Sequence, residues 1–415
     1  MSHLDSPDVL RPPASGPKRA LVAWGIERLP ALFALLRTAW PIPRVGSLVV
    51  ATRYDDVREV FETDAVFGVR YKAQLDVIMG GCPFFLGMGD TPQYRADTAA
   101  MRRVMWPDDI PNRLAPAVHA QAERIVTNAG GKLEVVDRLV RQVTFDVLGE
   151  YFGVPDPANG DLRVWGTRLF EFQFIDQGPA IRAEVDEIAP ALRRHLQTAI
   201  EQRRASRVAK DDVLGRCLEM QARGELGFSD DQVRTTLMGF IVGGPPQPPM
   251  VLPQALEQLL RRPKALAGAQ QAARMNDDEL LAGYVFEAMR FDPLAPALPR
   301  VALANYTIAA GTSRERKVSQ GSTVLAAISS AMMDGRRVPA PRSFNPRRLP
   351  HEYMHFGHGL HTCFGIRINQ AILPLILKPL LKCSNLRRAA GSDGRLRKRG
   401  AFADRLVVEY DLRFP

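Results

Sequence analysis

The most constraining stretch of this chain is Phe356-Gly357-His358-Gly359-Leu360-His361-Thr362-Cys363-Phe364-Gly365. An aromatic opens it, glycines flank a cysteine, and an apolar, helix-like run over 366–381 follows. Glycine lets the backbone turn tightly and approach a flat ligand closely. A helix N-terminus aimed back at the sulfur favours the thiolate. A thiolate held in such a loop points to an axial ligand of heme iron. The bland alternative is a buried free cysteine acting as a small hydrophobe. Zinc would want a second cysteine or a histidine pair at finger-like spacing, and the sequence shows neither.

The pattern resembles the heme-binding loop of the cytochrome P450 family, which reads Phe-x-x-Gly-x-x-x-Cys-x-Gly. Phe356, Gly359, Cys363 and Gly365 fill its fixed positions. The resemblance implies a mainly α fold with a smaller β part, enclosing heme b (iron protoporphyrin IX). It makes Cys363 the iron ligand and places Phe356, Gly357 and Gly365 beside the cofactor. It covers nearly everything after residue 40, so 1–40 is expected as an N-terminal arm and 41–415 as one heme-thiolate catalytic domain.

Composition fits a globular protein, with 46% hydrophobic and 24% charged residues. Cys82, Cys217, Cys363 and Cys383 lack framework spacing, which predicts a reducing, cytoplasmic setting. No apolar run is long enough to span a bilayer, and no signal peptide is evident at the N-terminus. The stretch 18–40 carries Leu21, Trp24, Ile26, Leu29, Leu32, Phe33, Leu36 and Trp40 among basic residues. It reads as a helix packed on its own domain and broken at Pro30, with peripheral membrane contact as the other reading. Net charge is +10. Basic residues are not interleaved with aromatics in one compact run, which disfavours nucleic acid. A basic patch would suit an acidic, ferredoxin-type electron donor. A monomer is expected.

Periodicity predicts strands at 47–52, 300–308, 322–328 and 405–410. Helices are predicted at 54–63, 117–128, 133–152, 180–204, 230–244 and 276–290, with Ser229 as a cap. Residues 64–89 read as irregular around the Gly80-Gly81-Cys82-Pro83 turn.

Glu287-Ala288-Met289-Arg290 sets an acid and an arginine three apart on one helical face. The resemblance implies the pair that stands behind the heme and meets Phe344-Asn345-Pro346-Arg347-Arg348, holding the cysteine loop in shape. Arg300 and His361 match the family's partners for the heme propionates, which need cationic or hydroxyl contacts when buried. Tyr94 and Arg95 stand near where the family has a further histidine and arginine. Substrate contacts implied in the same way are Leu75, Ile78, Phe84 and Phe85, then Phe240, Gly243 and Gly244, then Leu294, Ala297 and the Ala401-Phe402 turn.

One departure matters. The family's distal helix reads Ala/Gly-Gly-x-Asp/Glu-Thr, and the acid and alcohol deliver protons. Here Gly243-Gly244-Pro245-Pro246-Gln247-Pro248-Pro249 puts Pro246 at the acid and Gln247 at the alcohol. Neither is a general acid. Each interior proline costs a helix about 3 kcal/mol, so the helix must kink or break there. Pro374 and Pro379 are expected to interrupt the helix after the cysteine, and Gln370 stands where the family often has arginine.

The leading expectation is a monooxygenase acting on a hydrophobic small molecule, with electrons from a separate donor. The alternative is a peroxide-dependent enzyme, a peroxygenase or a lipid hydroperoxide isomerase or lyase, in which Gln247 orients the hydroperoxide. A non-catalytic heme sensor is the third reading.

Overall fold

The computed structural model describes residues 17–175, 177–206, 210–400 and 402–412. Mainly helical with smaller sheets, the chain folds into two units built from discontinuous segments. One contains Tyr71–Asp109 and Arg141–Gln247, and the other Leu21–Arg70, Ile110–Val140 and the chain from Pro248 onward.

The first unit is helical. The helix Asp230–Gly243 packs against Gln142–Phe152, Leu162–Phe174, Pro179–Ala205 and Val213–Ala222. Ser229 starts it with a capping box, its hydroxyl and the Gln232 side chain each closing on the other's backbone N–H. From Val233 to Val242 every residue but Arg234 is buried, so this helix is core on nearly all sides. It stops at Gly243, as the prolines require, and a new helix, Pro248–Leu260, opens on Pro248 and Pro249. Proline is tolerated there because first-turn N–H groups need no helical partner.

The second unit holds the sheets. Its five-stranded sheet runs Arg44–Val45, Leu48–Ala51, Thr323–Ala326, Leu298–Ala302, Phe67–Val69. Leu48–Ala51 pairs in parallel with Thr323–Ala326, and the other pairings are antiparallel. Val49 and Ala51 alternate inward to a core with Val57, Val324 and Ala326. A second layer is the helix Ile366–Lys382, packed on Ala115–Asn128, Pro263–Arg274 and Asp278–Phe291.

Several expectations need correction. Residues 133–152 are not one helix. Lys132–Glu134 is a strand paired with Val407–Glu409, and the helix is Gln142–Phe152. The reversal is fixed by Glu134, whose carboxylate accepts from the N–H groups of Val136, Asp137 and Leu406. Residues 64–89 are more regular than expected, with the strand Phe67–Val69, the helix Lys72–Met79 and a 3-10 turn at Phe85–Gly87. The strand over 300–308 splits into Leu298–Ala302 and Tyr306–Ile308, in different sheets. Pro374 and Pro379 lie inside the uninterrupted Ile366–Lys382, where burial of nearly every residue after Ala371 outweighs the lost hydrogen bonds. Pro30 likewise lies inside the helix Pro17–Ala39. Phe33 is buried on that helix, while Leu32, Leu35 and the following Trp40 are exposed. The side chains of Leu21, Trp24 and Ile26, and Ala401, lie outside the described residues. Among the described residues, no helix is long and apolar enough to cross a membrane.

Removing the Ser229 hydroxyl by Ser229→Ala should cost about 1 kcal/mol. A drop of about 1 °C in the thermal midpoint is the expected reading.

Candidate functional site

In the second unit the cysteine loop is held from three directions. Gly357 and Gly359 take left-handed backbone, at φ 73° and 71°. At Gly359 a side chain is excluded outright, since a Cβ would stand 2.3 Å from the carbonyl oxygen of Phe61. The Cys363 N–H donates to the Phe356 carbonyl at 2.8 Å, which closes the loop. Phe356 meets Phe286 edge-on at 6.1 Å. His358 in the same loop pairs with Glu62 at 2.9 Å.

Behind the loop lies a buried charge cluster. Glu287 and Arg290 are both 0% exposed and pair at 2.8 Å. Arg348 joins the same carboxylate at 3.1 Å and donates to the carbonyls of Pro339, Ala340 and Ser343. The Asn345 N–H and the Tyr353 hydroxyl complete the shell on Glu287. Burial, then the Glu287 charge, pushes the Tyr353 phenol well up. Phe344 stacks on Phe291 at 5.8 Å, and the Arg262 guanidinium lies 4.3 Å over the Phe291 ring. Arg348 is the partner that the Phe344–Arg348 stretch hinted at. Tyr353, His355 and Asn369 gave no signal in the sequence, because each acts through a contact far along the chain or one helical turn away.

Cys363 is half-buried. Burial raises its thiol above the ordinary range, against the Gly365 N–H and the Asn369 amide, which pull it down. The Asn369 nitrogen stands 3.8 Å from the sulfur. Arg300 is buried and its guanidinium lies 5.0 Å over the Phe61 ring. His361 is driven down to about 4 by burial, then by the Arg300 charge. His355 is driven down to about 4 mainly by burial. Its Nε2 lies 2.9 Å from the Phe286 carbonyl, and its ring stacks on Tyr353 at 4.9 Å. Leu294, Ala297 and Phe402 are half-buried in this unit.

In the first unit Leu75, Ile78, Phe84, Phe85 and Phe240 are buried. The tip of the Phe84 ring lies against the backbone at Gly239, where a Cβ would come within 2.1 Å of its Cζ. Phe84 and Phe85 stand 4.4 Å apart, and Tyr94 faces Phe85 at 6.5 Å. Arg95 is exposed and paired with Asp90 at 2.6 Å. The helix break is closed locally. The Gln247 amide donates to the Gly243 carbonyl, its N–H to the Gly244 carbonyl at 3.3 Å, and the Thr144 hydroxyl to the Pro245 carbonyl at 3.1 Å. Pro246 is buried.

The family model for Cytochrome P450 matches residues 170–389. The chain is 24% identical over 344 residues to a putative cytochrome P450, YjiB, of Bacillus subtilis, covering 80% of this chain and 82% of that one. It is 37% identical over 121 residues to psi-producing oxygenase A of Emericella nidulans, a match spanning 29% of this chain but only 11% of that protein. A bifunctional dioxygenase-epoxy alcohol synthase of Pyricularia oryzae is 22% identical over 397 residues, 86% of this chain and 34% of that one. The solved structure of CalO2 superposes with a TM-score of 0.80 at 21% identity, covering 96% and 98% of the two chains.

The donor set fits the heme that this family binds. The Cys363 sulfur accepts from the Gly365 N–H and the Asn369 amide, neutral donors of the kind that a thiolate ligand accommodates. Arg300 and the neighbouring His361 are the matching donors for anionic propionates.

Glu287→Gln leaves Arg290 and Arg348 buried without their carboxylate and should cost about 3–5 kcal/mol. Denaturant unfolding should show that loss, and the reduced carbon monoxide difference spectrum should lose its thiolate band. The buried histidines set a pH dependence. Unfolded, His355 takes a proton below its ordinary 6.5; folded, it does so only below about 4. Stability should therefore fall as pH drops from 6.5 to 4. Unfolding followed across that window should show a shallower fall in His355→Phe.

Proposed function

Because this chain belongs to the cytochrome P450 family, we propose that it is a heme-thiolate oxidoreductase. It holds heme b through Cys363 and oxidises an apolar small molecule as a monooxygenase. The observation that carries this reading is the cysteine loop itself, closed by the Cys363–Phe356 bond and backed by Glu287, Arg290 and Arg348. Thiolate-bound heme iron supplies oxygen-activating chemistry that no side chain can. The protein's share is placement. The Gly365 N–H and the Asn369 amide hold the sulfur lone pairs in one direction. Arg300 and His361 receive the propionates, and the buried Glu287 cluster keeps the loop from relaxing. Phe84, Phe85 and Phe240 offer apolar contact to a greasy substrate and exclude water. Electrons come from a separate acidic, ferredoxin-type donor that suits the net charge of +10.

A second reading is favoured by one stretch. At the positions of the family's acid and alcohol stand Pro246, with no proton to give, and Gln247, with one amide N–H spent on the Gly243 carbonyl. A hydroperoxide carries its own protons and the already reduced O–O bond, so it needs neither that relay nor external electrons. The likeness to a protein named as a dioxygenase-epoxy alcohol synthase agrees with this reading.

The heme-thiolate assignment predicts a thiolate-type reduced carbon monoxide spectrum that Cys363→Ser abolishes. Stopped-flow mixing with linoleic acid hydroperoxide separates the two oxidants. Consumption without NADPH or donor supports the peroxide reading. No consumption, alongside NADPH- and ferredoxin-driven turnover, sinks it.

A further inference from the structure

Away from the cysteine loop, the second unit carries a concentration of apolar side chains in solvent. Of the eleven large apolar side chains that the described residues expose, five lie within 32–48: Leu32, Leu35, Trp40, Val45 and Leu48. Single exposed apolar residues need no explanation, but a cluster of them marks a surface that something covers.

Local geometry puts them there. Leu32 and Leu35 stand three apart on the helix Pro17–Ala39, on one face, and Phe33 between them is the buried one. The chain then runs antiparallel to Leu48–Ala51 as the edge of the five-stranded sheet. The Thr52 N–H donates to the Pro41 carbonyl there, and the Val50 N–H to that of Pro43. Val45 and Leu48 are directly opposed across the hairpin, 72% and 38% exposed, while Val49 and Ala51 take the inward face. Trp40 and Val45 therefore lie at the two ends of this edge segment.

Cations surround the hairpin. Arg44 donates to the Gly46 and Lys317 carbonyls at 3.1 and 3.0 Å, and Arg316 to the Ile42 carbonyl at 3.1 Å. Arg70 donates at 3.2 Å to the hydroxyl of Thr323, the residue paired with Leu48. Lys317 is exposed. Among the described residues none of these four pairs with a carboxylate. Elsewhere surface arginines do find acids, as in Arg58–Glu62 and Arg337–Asp55.

We propose that this face, the hairpin of Val45 and Leu48 with Trp40 and the helix face of Leu32 and Leu35, is a docking surface for an anionic lipid bilayer. The apolar side chains and the tryptophan enter the interfacial layer, and the free cations meet the headgroup phosphates. Charge selects this partner over a second copy of the chain, since two such faces would bring like charges together. Contact is peripheral, because among the described residues no helix is long and apolar enough to cross a membrane. Docking of this kind is independent of the oxidant.

The test is sedimentation of the heme-loaded full chain with vesicles. Phosphatidylcholine and phosphatidylglycerol in equal parts should carry the protein down. Phosphatidylcholine alone should carry little, and raised salt should release the protein. Arg70→Gln and Lys317→Gln should each weaken binding about fivefold. Leu35→Ser and Val45→Ser should each weaken it about five- to tenfold. Leu226→Ser, at the most exposed large apolar side chain of the first unit, should change nothing. An unchanged thermal midpoint shows that each variant is folded. No binding to anionic vesicles overturns the proposal, as does binding that all four variants leave unchanged. A dimer in solution that Val45→Ser dissolves, with no vesicle binding, assigns the face to a second copy. Affinity for an acidic ferredoxin that falls in Lys317→Gln, with no vesicle binding, assigns it to a protein partner. Either result refutes lipid docking.

Discussion

Glu287 is the point on which the second unit depends. A carboxylate with no solvent exposure is held by two guanidiniums, a phenol and a backbone N–H. Its charge would be very costly to bury alone. The arrangement is therefore demanding: the helix Asp278–Phe291, the segment from Pro339 to Arg348 and Tyr353 must all be in place before any one of these charges can leave water. Such networks contribute little net stability compared with apolar packing, yet they penalise alternatives heavily. The cysteine loop begins only a few residues after Tyr353, so its shape inherits that strictness.

Much of this was legible in the sequence, for a physical reason. A loop that must turn on glycines and pass within contact of another helix's backbone, at the Phe61 carbonyl, has few solutions, and its residues are local in sequence. Cys363, Gly359 and Phe356 could be read for that reason. The Glu287–Arg290 pair is also local, three residues apart on one helix face. What escaped was long-range. Glu134 turns a strand into a helix start by collecting N–H groups that include Leu406, far along the chain. Tyr353 and Asn369 act through geometry that spacing does not reveal. The prolines gave mixed signals. Pro245 and Pro246 end a helix, whereas Pro374 and Pro379 do not. Proline removes a hydrogen bond in every case, and tertiary burial decides whether the helix survives the loss.

Two electrostatic demands pull against each other at Cys363. A half-buried thiol resists ionisation, while a metal ligand must be ionised. The donors aimed at the sulfur are weak, neutral ones, an amide side chain and a backbone N–H. Weak donors leave most of the sulfur's electron density available to a cation, whereas a paired lysine or arginine would have drawn it away.

The helix that follows the cysteine has a consequence for assembly of the protein. With Pro374 and Pro379 in its interior, Ile366–Lys382 forfeits the backbone bonds that would let it persist as an isolated helix. Its order is borrowed from the helices that surround it. The packing of Ala115–Asn128, Pro263–Arg274 and Asp278–Phe291 around it is what keeps the segment that follows Cys363 helical.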